Sequence, residues 1–248
     1  MNHQKISFSF KLASHIVIWM SILIGGGSML IFGWFLLTGP FSPLNLGLNE
    51  SAALLLNALL CMLFFIPHSV MVRKPFQRWL EGVFLNVFTG AIYSIISGIG
   101  LLILVVLWQQ SSSVLISLQG LPRLFCRMIF LIAVAGNIWG NRALRSHIDP
   151  LGIRPIRHRL HGKKIQPQPF VIKGPYRFVR HPLYLFSLMM IWSFPDLTSD
   201  RLLFNVLWTA WILIGTLLEE RDLVNSLGKT YQDYQHKVPM LIPFIKIR

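Results

Sequence analysis

Apolar residues fill long stretches of this chain, and its polar residues are gathered into a few places. Apolar runs cover His15–Leu37, Ala52–Pro67, Val83–Trp108 and Leu121–Gly140, and a long polar stretch separates these from Leu183–Pro195 and Leu202–Leu218. A helix needs ~20 residues to cross ~30 Å of hydrocarbon, so the pattern predicts an all-α integral membrane protein with about six transmembrane helices. The last two runs are short, and at ~1.5 Å per residue the first of them is marginal for a crossing. They read as a tilted hairpin, joined by a turn over Asp196–Asp200, rather than as two full spans. The first run is too long for a signal-peptide core and lacks a small-residue cleavage pattern, so it reads as a retained span.

Composition agrees with this picture. Of 248 residues, 54% are hydrophobic and 13% charged, and the mean hydropathy is +0.58. No internal repeat divides the chain, which reads as a single polytopic domain over 1–248. Gly25-Gly26-Gly27 and the Gly136/Gly140 spacing suit close helix packing in lipid. Cys61 and Cys126 lie inside predicted spans and make no redox or metal pattern.

The formal net charge of +14 raises the question of a polyanionic partner. With six crossings and a cytoplasmic N-terminus, the cytoplasmic parts are 1–14, 68–82, 141–182 and 219–248. They hold every Lys and Arg except Arg123, Arg127 and Arg201. That is the positive-inside bias, so the basicity needs no nucleic acid, and the basic loop carries no reader motif. Anionic lipid headgroups are the natural neighbours of such a face. The expected setting is a bacterial inner membrane with both termini cytoplasmic.

The polar chemistry gathers on that face. Loop 68–82 is basic and aromatic, and the large loop 141–182 includes IQPQPF over 165–170, which its prolines should keep extended. Within GPYRFVRHPLYLF, Gly174 to Phe186, Pro182 suits the first turn of a helix. Arg180 and His181 then sit at a helix N-terminus, which favours an anion, with Tyr184 one step inside. A plain interface anchor is the alternative. Glu219 and Glu220 end the last apolar run on the same face. Acids there are costly unless paired or used: an ion pair with Arg180 or Arg177 is one reading, a contact to a bound cation the other. An anion-seeking end facing a cation-seeking end suits a zwitterion with an extra positive charge, such as S-adenosylmethionine.

Two further features need sorting. Gly228-Lys229-Thr230 is not a phosphate loop, because the position five before Gly228 is Leu223 rather than glycine. Tyr231 and Tyr234 share a helix face and either line a flat purine or rest on the membrane surface. No histidine spacing of the HExxH kind is present, so no metal is expected.

Taken in order, GPYRFVRHPLY, EERDL and GKTYQDYQHKVPMLIP resemble the isoprenylcysteine carboxyl methyltransferase-like superfamily. PHSVMVRKPFQRW (67–79) and NRALRSHIDPLGIR (141–154) are similar to segments of its methanethiol S-methyltransferase branch. The resemblance implies a membrane enzyme that binds S-adenosylmethionine on the cytoplasmic side within residues 141–248, with Tyr176, Arg180, His181, Tyr184, Glu219 and Glu220 at the cofactor. It implies methyl transfer to a small thiol, methanethiol to dimethyl sulfide. An isoprenylcysteine carboxyl or phospholipid methyltransferase, or a non-catalytic NnrU-like protein, are the alternatives. The family often has a small residue at the position of Phe186, which here is a bulky ring.

Thiol methylation needs the thiolate, and a thiol with a pKa near or above ~8.5 is mostly protonated at neutral pH. A base near pKa 7 would help. His68, beside the basic loop, and His147, two residues before Asp149, are the candidates, with proton loss to water as the alternative.

Overall fold

The computed structural model describes residues 7–41, 43–145, 147–163 and 169–243. Most of the IQPQPF stretch, residues 165–168, therefore lies outside the described residues. The N-terminal run is one long rod of helices α1 (Phe8–Met20) and α2 (Gly27–Thr38), joined without a break by a π-helical turn at Ser21–Gly26. Ser7 starts it, its hydroxyl accepting from the Phe10 N–H at 3.2 Å. Gly25 lies at the crossing of this rod with helix α5 (Thr89–Leu107), against Ser94. A Cβ on Gly98 of α5 would lie 2.7 Å from the Ile24 carbonyl oxygen, so this close approach of the two backbones needs glycine there. Helix α3 (Glu50–Met71) is capped by Asn49, whose side chain accepts from the Ala52 N–H at 2.9 Å.

The basic loop 68–82 is not a loop. Its second half forms helix α4 (Lys74–Val83), with Pro75 in the first turn and the exposed ring of Trp79 on its surface. Its apolar positions are too few for a span and are spaced instead for one half-buried face of a surface helix.

Among the described residues, five helical segments are long and apolar enough to cross a membrane: Phe8–Thr38, Glu50–Met71, Asn86–Leu107, helix α6 (Gly120–Ala143) and helix α9 (Ser199–Leu227). Exposed leucines such as Leu23, Leu30, Leu55 and Leu121 cover their outer faces, as expected of surfaces solvated by lipid. The chain is thus an all-α integral membrane protein. The expected short hairpin needs correcting at one of its arms. Helix α9 has 29 residues and continues well past the apolar run, so the two glutamates sit inside it rather than beyond its end.

Helix α8 (Pro182–Trp192) has only 11 residues, about 16 Å of rise. With the residues that follow it up to Asp196, it nevertheless runs along most of α6. Leu183 packs on Gly140 and Phe186 on Gly136; Arg127 lies 5.3 Å over the Phe194 ring, and Arg123 pairs with Asp196 at 2.6 Å. The missing length comes from extended chain after Trp192, which rises ~3.3 Å per residue. Strand β2 (Asp196–Thr198) pairs antiparallel with strand β1 (Val114–Ser117). The pairing satisfies backbone polar groups of both strands.

The core is aromatic. Phe35, Phe64, Phe65, Trp108, Phe204 and Trp208 pack together between α2, α3, α5 and α9. At the strand end, buried Asp200 accepts from Trp108 Nε1 at 2.8 Å, the Ser111 N–H at 3.0 Å and the Thr198 hydroxyl at 2.6 Å. Beside it, Arg201 is buried with its guanidinium 4.7 Å from the Phe194 ring centre. Two shorter helices complete the fold, α7 (Arg154–Leu160) in the large loop before α8 and α10 (Lys229–Lys237) in the tail after α9.

Candidate active site

Sequence-distant residues meet where α6, α8, α9 and α10 come together at the basic end. A 3-10 turn at Gly174–Arg177 delivers Tyr176. Gly174 has φ of +56°, and a Cβ there would lie 2.7 Å from Ala143 Cβ, so the turn can lie this close to α6 only with glycine. Pro182 then opens α8, as its place in the sequence predicts.

Glu220 is the hub. It accepts a two-pronged hydrogen bond from Arg180, Nε at 2.9 Å and Nη2 at 2.7 Å. His181 Nε2, the Tyr231 hydroxyl and Gln235 Nε2 each donate to it at 2.6 Å. Arg180 Nη1 donates to the carbonyls of Val238 at 2.6 Å and Gln235 at 3.2 Å. The backbone N–H groups of Arg180 and His181 donate to Pro239 and Met240. The ion pair between the two segments is therefore real and internal, and it ties α8, α9 and α10 into one block.

Glu219 faces the other way. Its Oε2 accepts from the Tyr184 hydroxyl at 2.6 Å and lies 3.9 Å from His181 Nδ1. With its side chain 44% exposed, it opens onto a cleft of about 490 Å³. Tyr176, Arg180, His181, Tyr184 and Glu219 all line this cleft, and Glu220 stands behind it. Tyr231 and Tyr234 complete one wall with Phe170, whose ring centre is 5.9 and 5.5 Å from theirs in edge-on contacts. The Tyr234 hydroxyl donates to the Tyr176 carbonyl at 2.5 Å. So the two tyrosines of the tail face the cleft, the first of the two placements their spacing allows. Burial, reinforced by the Glu219 carboxylate, pushes the Tyr176 phenol up to about 12. Burial also raises Tyr231, to which the bond to Glu220 adds, and Tyr234.

The two candidate bases are separated. His147 lines the cleft, and its Nε2 donates to the Pro169 carbonyl at 2.9 Å. Asp149 accepts from the Arg154 N–H at the start of α7. His68 belongs to a second chamber of about 450 Å³ between α3, α5 and α9. Its Nε2 is 2.7 Å from the Tyr93 hydroxyl, and its Nδ1 is 3.1 Å from the Ser97 hydroxyl. Cleft and chamber share Tyr184, Glu219 and Leu223 as a common rim.

Phe186 does not line the cleft. Its ring lies on Gly136 of α6, where a Cβ would come within 2.4 Å of it. A bulky residue at this position is accommodated by a glycine opposite, and the slot is left alone.

Sequence reading missed Tyr93, Trp211 and Gln235. A signal for Tyr93 was present: the chain has five tyrosines, and all five line the cleft or the chamber.

The sequence is similar to curated S-methyltransferases over most of its length. It is 38% identical over 208 residues to methanethiol S-methyltransferase of a Pseudomonas species, covering 79% of this chain and 76% of the relative. The chain belongs to the methanethiol S-methyltransferase family. A second member of that family, methanethiol S-methyltransferase 1 of Bradyrhizobium diazoefficiens, is 29% identical across 96% of this chain and 82% of its own. Nurim of Danio rerio is more distant, 25% identical over 68% of this chain and 64% of its own, which fits a wider isoprenylcysteine carboxyl methyltransferase-like superfamily. No family model matches the chain, and no solved structure matches it. Membership in the methanethiol S-methyltransferase family makes the chain an enzyme of thiol S-methyl transfer.

Proposed function

We propose that this protein transfers a methyl group from S-adenosylmethionine to methanethiol, forming dimethyl sulfide at the cytoplasmic face of the membrane. The observation that carries this reading is the common rim: a cofactor-sized cleft and a separate chamber holding a histidine meet at Tyr184 and Glu219. The residues present fit the cofactor. A volume of about 490 Å³ lies within the ~300–1,000 Å³ usual for small-molecule sites. Phe170, Tyr231 and Tyr234 offer rings to a purine, His181 stands at the N-terminus of α8 for a carboxylate, and Glu219 offers negative charge to a cation. When bound, S-adenosylmethionine supplies an electrophilic methyl group on a positively charged sulfur.

The chain's own residues do the rest. Glu220 holds Arg180, His181 and Tyr231 in place, so it acts on the cofactor by positioning rather than by touching it. Glu219 sets a negative charge at the junction, where the positive sulfur belongs, and Tyr184 fixes the orientation of that carboxylate. His68 Nε2 takes the thiol proton, directly or through the Tyr93 hydroxyl, raising the fraction of thiolate. His147 lines the cofactor cleft and is assigned to binding there.

The assay is direct. Purified protein in detergent, given S-adenosylmethionine and methanethiol, should release dimethyl sulfide into the headspace. No product together with no measurable cofactor binding would overturn the proposal. The clustering of Lys and Arg also supports cytoplasmic termini in an inner membrane; reporter fusions at each end, active only when exported, would refute this by lighting up.

A further inference from the structure

The second chamber is much larger than methanethiol requires. Trp211, Gly215, Glu219, Asp222 and Ser226 of α9 all line it, at spacings that put them on one helix face. From Trp211 to Ser226 that stripe extends about 22 Å. The chamber is a groove, apolar at the Trp211 end and polar at the other, where Arg73 pairs with Asp222 at 3.0 Å. A volume of about 450 Å³ suits a ligand on the order of ten or more heavy atoms, whereas methanethiol has two. The apolar half is firmly walled. The Trp211 ring stacks on Phe65 at 4.5 Å, and its Nε1 donates to the Ser69 hydroxyl at 2.9 Å. It is also open inside, since a Cβ on Gly215 would meet nothing within 4 Å.

We propose that this groove is the acceptor site and that its acceptors include apolar thiols several carbons longer than methanethiol. The sulfur sits at the rim by Tyr184 and Glu219, and the apolar body lies along Gly215 toward Trp211. This rests on the methyl-transfer reading above. The chemistry balances without a further reagent. The thiol S–H breaks, its proton passes through the Tyr93 hydroxyl, 2.7 Å from His68 Nε2, to that nitrogen and on to solvent, and the sulfur lone pair forms the new S–CH₃ bond. The bond from methyl to the donor sulfur breaks with its electron pair left on that sulfur. The products are a methyl thioether, the neutral donor thioether and one proton.

The test compares methanethiol, ethanethiol, 1-propanethiol and 1-butanethiol with the full chain in detergent and S-adenosylmethionine, measuring each methyl sulfide by gas chromatography. We expect kcat/KM to rise about fourfold per added methylene while the chain stays within the groove. Dimethyl sulfide formed with no gain for the longer thiols would overturn the acceptor proposal and leave methyl transfer standing. Absence of every product would overturn both. Gly215→Leu, which fills the apolar half, should lower the butanethiol-to-methanethiol ratio by about tenfold; an unchanged ratio refutes the placement of the body. If that variant does not fold, Val72→Phe on the exposed wall of the groove serves the same comparison. In cofactor-free protein, butyl methyl sulfide should raise the thermal midpoint more than dimethyl sulfide at equal concentration, and equal shifts would count against the groove as a binding site.

Discussion

Glu219 and Glu220 are neighbours on α9 but project about 100° apart, one onto the open rim and the other into the block formed with Arg180. The two carboxylates therefore have different work. Glu220→Gln leaves the Arg180 guanidinium buried without its counter-charge, which costs about 3–5 kcal/mol when such a pair is broken. We expect a large fall in thermal midpoint or failure to purify as a single species. Glu219→Gln should fold normally and bind S-adenosylmethionine about tenfold more weakly. Calorimetric titration and thermal unfolding on both variants check this; the opposite pattern would exchange the roles.

Phe186 and Gly136 form a complementary pair. Phe186→Ala opens a gap against α6 and should destabilise by about 1–3 kcal/mol, the ring being half-buried, with cofactor affinity unchanged. Gly136→Leu alone should clash with the ring, and combining the two should recover part of the loss. A double-mutant cycle in denaturant measures the coupling. A change in cofactor affinity for Phe186→Ala would put the ring back in the slot.

Proton removal is expected at His68. His68→Ala should lower kcat by about 10²-fold at neutral pH without altering cofactor affinity, and the deficit should shrink as pH rises toward the pKa of the thiol itself. Tyr93→Phe should give a smaller loss with the same pH trend. His147→Ala should raise the KM for the cofactor and leave the pH profile unchanged. Parallel profiles for parent and His68→Ala would remove histidine from the proton path.

The cleft phenols tie the fold to alkaline pH. Tyr176 stands at about 12 in the folded chain, against ~10 when unfolded. A raised pKa favours the protonated form in the folded state, so its contribution is fully present below pH ~10 and is lost as pH rises through about 12. Tyr231 and Tyr234 shift in the same direction. Thermal midpoints recorded from pH 9 upward should fall across that window, and Tyr176→Phe should flatten part of the decline. No difference between parent and variant would mean that Tyr176 is solvated.

Much of this architecture was legible in the chain because lipid imposes a simple rule of long apolar runs. That rule located the spans and the polar end, and the order of Tyr176, Arg180, His181, Tyr184 and the glutamate pair located the cleft. It did not reveal that α9 continues past Leu218, since polar residues such as Glu220 and Arg221 are good helix formers once outside hydrocarbon. Nor did it reveal how the chain runs on beyond α8, because that path depends on pairing with β1, a partner about eighty positions away. Tyr93 and Trp211 read as ordinary span residues; their meeting with His68 is set by how α3, α5 and α9 pack, and no local pattern encodes it.

The hydrogen bonds from Arg180 and His181 to Pro239 and Met240 bear on how the enzyme is made. Every span can enter the bilayer as it leaves the ribosome, but the hub around Glu220 waits for Tyr231, Gln235 and the turn that follows them. Insertion and maturation are thus separate events in time. A nascent chain halted after α9 would be a membrane protein with its threading complete and its Arg180–Glu220 pair lacking the partners that α10 and the following turn supply, the kind of species that a quality-control protease can tell from the finished enzyme.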